Sequence, residues 1–75
     1  MDKKRLLEVV EQFTAKYSTI IPKELFMPLL EDPTDWQAWN QLHALSIGYS
    51  IDNETVRAIK ECTQMTTRNF LGDVA

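Results

Sequence analysis

Between Trp36 and Tyr49 the chain reads WQAWNQLHALSIGY, and at helical spacing this stretch is apolar on two sides. Ala38, Leu42, Leu45 and, if the helix continues that far, Tyr49 share one narrow arc, which is the face expected to enter a core. About 120–150° round the axis, at 100° per residue, lie Trp36, His43 and Ile47, with Trp39 between the two faces. A helix of this kind is either central in its fold or shared with a partner. The segment therefore demands helical neighbours on more than one side, or a binding surface.

The rest of the chain supplies such neighbours. In the first helix, expected from about Asp2 to Tyr17, Leu6, Val9, Val10, Phe13 and Tyr17 form one stripe with Leu7 at its edge. Lys4, Arg5, Glu8, Glu11, Gln12 and Lys16 cover the other side. Both signs of charge on that face argue against a helix lying on a membrane. A short or kinked helix follows, from about Pro22 to Leu30, because Pro22 suits a first helical position and Pro28 removes a donor further on. Its core candidates are Ile20, Ile21, Leu25, Phe26, Leu29 and Leu30.

The third helix is expected from about residue 34 to Ile47. Either Asp32 caps it with Pro33 in its first turn, or Thr34 caps it with Gln37 in a capping box. A fourth starts at Asp52, whose carboxylate can cap it, with Ile51 and Val56 at hydrophobic-staple spacing. It runs to about Leu71, where Gly72 stops it. Its apolar face is Val56, Ile59 and Phe70 with Thr63 and Thr66 between them. Cys62 borders this face, while Arg57, Lys60, Glu61, Gln64 and Arg68 point outward. The expected architecture is all-α, a single domain over residues 1–75 built as a small bundle of about four helices.

Size bears on assembly. Seventy-five residues with 44% apolar side chains make one modest core, and domains this small commonly need a staple. One cysteine excludes an internal disulfide, and one histidine gives no zinc pattern. Neither a metal nor another cofactor is implied, and a homodimer is the expected remedy. A lone thiol suits a reducing compartment. Glu8 and Glu11 break any secretory apolar run at the N-terminus, and LFMPLL is far too short to cross a bilayer. The expected location is the cytoplasm.

The net charge is −3, unevenly spread. No Lys or Arg lies between Lys23 and Arg57, while Glu24, Glu31, Asp32, Asp35, Asp52 and Glu54 do. Carboxylates near helix N-termini are favoured for local reasons, but an acidic surface also suits a basic partner.

No catalytic constellation is apparent. Cys62 and His43 have nothing to orient them as a nucleophile and base. Asp32 and Asp35 are explained by capping, the two glycines make no phosphate loop, and no Ca²⁺ loop pattern occurs. The chain does not read as an enzyme.

ALSIGYSIDNETVRAIK, from Ala44 to Lys60, resembles a helix-turn-helix in outline, with Gly48 as the turn glycine. The first apolar positions after the turn, Val56 and Ile59, arrive about two residues late for that motif. Its reading end would present Asp52, Asn53 and Glu54 to phosphates, with only Arg57 and Lys60 to compensate. Lys3, Lys4 and Arg5 are the other cations such a DNA-binding regulator would use.

The favoured expectation is a small non-enzymatic regulator or inhibitor that binds another protein. Its composition is of a kind common among phage and mobile-element products. Trp36, Trp39, His43 and Ile47 would make the contact and Asp32 and Asp35 its rim, because aromatic anchors concentrate binding energy and acids steer a basic partner. The alternatives are the DNA-binding regulator and a purely structural oligomer subunit.

Overall fold

The computed structural model describes residues 2–72. It is all-helical, with no strand among those residues, and has four α-helices: α1 (Lys3–Tyr17), α2 (Met27–Glu31), α3 (Trp36–Ser46) and α4 (Asn53–Phe70). A 3-10 turn, Lys23–Leu25, precedes α2. No helix among the described residues is long and apolar enough to cross a membrane.

α1 forms where its stripe requires. Asp2 caps it by accepting from the Arg5 amide at 3.1 Å, and Leu6, Val9, Val10 and Phe13 are buried. Where one short or kinked helix was expected from about Pro22 to Leu30, the segment divides into the 3-10 turn and the short α2. Pro22 caps the 3-10 turn and Pro28 lies in the first turn of α2, so each proline opens an element of its own. A proline in the first turn removes no bond that the helix would otherwise make. Between residues 20 and 30, Ile21, Phe26 and Leu29 are buried while Ile20 and Leu30 are exposed.

α3 is capped by Asp35, whose Oδ1 accepts from the Gln37 and Ala38 amides at 3.0 and 3.2 Å. Asp32 and Thr34, the two caps expected, instead bond each other in the preceding turn. The helix ends at Ser46 and does not reach Tyr49. Its buried residues are Ala38, Trp39, Leu42 and Ser46, which moves the inward direction about 45° from the expected face toward Trp39. Trp39 is 0% exposed, and Leu45 turns outward in consequence. The bulk of an indole explains the rotation, since burying it removes more apolar surface than burying a leucine. Its N–H donates to the Pro33 carbonyl at 2.7 Å, so the ring enters the core without stranding a donor.

α4 packs antiparallel to α3. Trp36 stacks on Phe70, Asn40 Nδ2 donates to Thr67 Oγ1 at 2.9 Å, and Thr63 Oγ1 lies 3.2 Å from the Trp39 carbonyl. Those pairs run in opposite directions along the two helices, which therefore lie side by side as an αα-hairpin. α1 also runs antiparallel to α4. Arg5 Nε meets Glu61 at 2.8 Å near one end, and at the other the Tyr17 hydroxyl donates to Asp52 and accepts from the Asp52 amide at 3.0 Å.

The face of α4 that turns inward consists of Thr55, Ile59, Cys62, Thr63 and Thr66. Threonine can replace aliphatic residues here because each hydroxyl is satisfied. Thr63 donates to the Ile59 carbonyl at 2.7 Å, Thr66 to the Cys62 carbonyl at 2.8 Å and Thr55 to Asp52 at 2.7 Å. The expected apolar face is thereby rotated about 35°, leaving Val56 half-buried and Phe70 58% exposed.

Candidate functional site

The Trp36–His43–Ile47 face of α3 lies beside α4, and the residues expected along it have different fates. Trp39 belongs wholly to the core, which removes it from any contact surface and corrects its place in that set. Trp36 and His43 are half-buried, and Ile47 is 85% exposed just past the end of the helix. Asn40 lies between Trp36 and His43 on the same face and bonds both the Trp36 carbonyl and Thr67.

Two residues read from sequence as core or helix end join this surface from the other helix. Phe70 stacks on Trp36 with ring centroids 4.3 Å apart and planes inclined at 32°. Leu71 follows it and is 73% exposed. Apolar spacing alone places Phe70 inward. The contrary signal is its position two residues before the helix-ending glycine. Gly72 takes a left-handed backbone with φ of 71°, the conformation that terminates helices. The result is an aromatic pair with an adjacent leucine at the end of the hairpin where α3 begins and α4 finishes.

Asp32 and Asp35 border that end, on the chain segment leading into Trp36. Asp32 is held below its usual carboxylate pKa by bonds from the Thr34 hydroxyl and amide, with a smaller contribution from nearby Lys3. Both aspartates do local work through a single oxygen. Oδ1 of Asp32 receives Thr34, and Oδ1 of Asp35 receives the first amides of α3.

The cations proposed for DNA are scattered among acids. Arg5 bonds Glu61 and also reaches Glu8 at 3.4 Å, and Lys3 lies close enough to act on Asp32. Lys4, Arg57 and Lys60 are exposed. Arg57 lines a groove of about 310 Å³ between α1 and α4 that Arg5, Lys16, Glu54 and Glu61 also border. Gly48, the supposed turn glycine, has no left-handed backbone, and a Cβ there would make only an ordinary 3.5 Å contact.

Cys62 is fully buried, and burial pushes its thiol up to about 12. It is held protonated, unlike the exposed low-pKa thiolates that act as nucleophiles. Among the described residues no group of three or more His, Cys, Asp or Glu side chains is placed to hold a metal ion. Comparison with known proteins returns no matching family model, no matching curated protein and no matching solved structure.

Proposed function

We propose that this chain is a small non-enzymatic regulator or inhibitor that works by binding another protein through the α3–α4 flank. The observation that carries the reading is the Trp36–Phe70 stack left open at the end of the hairpin. Aromatic side chains half-buried in their own fold are well suited to anchor an interface, because they bring large contact area at small entropic cost. Leu71 and Ile47 extend the apolar surface toward its two ends. The acids between Lys23 and Arg57 favour a partner with a basic surface. A second copy of the chain is a further occupant of the same face, and a reducing compartment such as the cytoplasm suits its single buried thiol.

The test uses Trp36→Ala and Trp39→Ala together. Trp36→Ala should keep its helical circular-dichroism signal and lose the partner captured by the wild-type chain from its native host. Trp39→Ala should lose about 3–5 kcal/mol of stability, the usual cost of emptying a core aromatic site, and unfold largely or wholly. If Trp36→Ala retains the partner, the contact lies elsewhere and the reading fails. Salt-sensitive binding of duplex DNA that disappears in Arg57→Ala would replace it with the DNA-binding reading. A sedimenting dimer that breaks up in Trp36→Ala and captures nothing else would leave a structural subunit.

A further inference from the structure

We infer that the open end of the α3–α4 hairpin receives an arginine-bearing apolar segment of a protein partner. The guanidinium lies against the Trp36–Phe70 pair and bonds the outer oxygens of Asp32 and Asp35. The inference rests on the protein-contact reading above and adds the chemistry of the occupant.

Three observations support it. Of the aromatic pair, Phe70 is 58% exposed and Trp36 half-buried, and Leu71 beside them is 73% exposed. Such a surface takes apolar side chains on its leucine side and a cation against its rings. Next, Asp32 and Asp35 each use Oδ1 for local bonds, and among the described residues Oδ2 of each has no hydrogen-bond partner. Finally, the ion pairs among the described residues are made by Arg5 and Lys16, so among those residues no cation forms a salt bridge with either aspartate, and Lys3 acts on Asp32 only from farther off.

The surface therefore combines aromatic faces with two charged acceptors. Arginine matches both, since its planar group stacks on rings while its fork of donors reaches carboxylates. Lysine brings a compact, strongly hydrated charge that does the first poorly. A phosphate or an acidic peptide would meet two carboxylates.

The test is a titration of the isotopically labelled full chain, followed by amide and indole resonances. The probes are capped Leu-Arg-Arg-Leu, Leu-Lys-Lys-Leu, Leu-Ser-Ser-Leu and Leu-Glu-Glu-Leu peptides. The arginine peptide should shift the Trp36 indole and the amides of Asp35 and Phe70, while the Trp39 indole stays in place. The lysine peptide should bind more weakly, and the serine and glutamate peptides least. Asp35→Asn keeps a side chain that caps helices well, so the fold should persist while the arginine peptide weakens by about tenfold. Asp32→Asn, outside the helix, is the second variant and should act in the same direction.

Equal shifts from the serine and arginine peptides, or no effect of either asparagine variant, would overturn the inference and leave the protein-contact reading standing. Absence of any shift with the arginine peptide also overturns it. So does movement of the same resonances with protein concentration alone, which would assign the face to a second copy. Loss of the contact reading itself is registered separately, by a Trp36→Ala chain that still captures its partner.

Discussion

Asp52 is an exposed carboxylate that joins two helices. It caps α4 through the Thr55 amide, takes the Thr55 hydroxyl, and receives the Tyr17 hydroxyl from the end of α1. The Tyr17 and Thr55 bonds, with Lys16 nearby, hold its pKa well below the usual carboxylate value. The folded chain thus prefers the charged form. Its contribution to stability is complete above the ordinary carboxylate pKa of about 3.9, and is lost progressively as pH falls below that toward the folded value. Asp52→Asn keeps a capping side chain but has no proton to gain. Its urea midpoint should therefore fall less steeply than that of the wild type between about pH 4 and pH 2, and parallel slopes would show that Asp52 contributes nothing to acid unfolding. Lys16, at 3.8 Å on the surface, is the lesser partner.

At the scale of elements, caps and turns can be compared directly. Asp35 satisfies two amides at the start of α3, so Asp35→Ala should cost about 1 kcal/mol in equilibrium unfolding. Gly48→Ala, in the connection to α4, should cost little or nothing, because its backbone and surroundings already accept a side chain. A large loss there would restore the turn-glycine role that a helix-turn-helix requires.

The elements also show what could be read beforehand. α1 was legible almost residue by residue, since Leu6, Val9, Val10 and Phe13 form one stripe and only Leu7, at its edge, competes with it. The start of α4 was legible because Asp52 has the right neighbours on both sides. Pro22 and Pro28 were harder, because a proline ends one helix and begins another with the same chemistry. α3 has large apolar groups on both sides, and spacing alone does not rank an indole above a leucine. That choice was made by tertiary packing, with the Pro33 carbonyl in place to receive the ring N–H. The candidate site followed from it. Trp36, His43 and Ile47 were found from spacing, whereas Phe70 was hidden because threonines with satisfied hydroxyls took the inward positions of α4.

Across the whole molecule, α4 is the member that both other long helices use. α3 lies along it over most of its own length, while α1 touches it through contacts as far apart in sequence as Arg5 and Glu61, 56 residues. The hairpin contacts close much shorter segments, with 24 residues between Trp39 and Thr63. Loop-closure entropy and local packing thus favour the hairpin as the part that assembles early, with α1 arriving on a surface already made. Val9→Ala in α1 should accelerate unfolding and leave the folding rate nearly unchanged, whereas Leu42→Ala in α3 should slow folding, as read from the two arms of a chevron plot. Reversed arms would make α1 part of the nucleus. The antiparallel register described above thus has a kinetic meaning: α1, translated before α4, completes its docking only once α4 has been made.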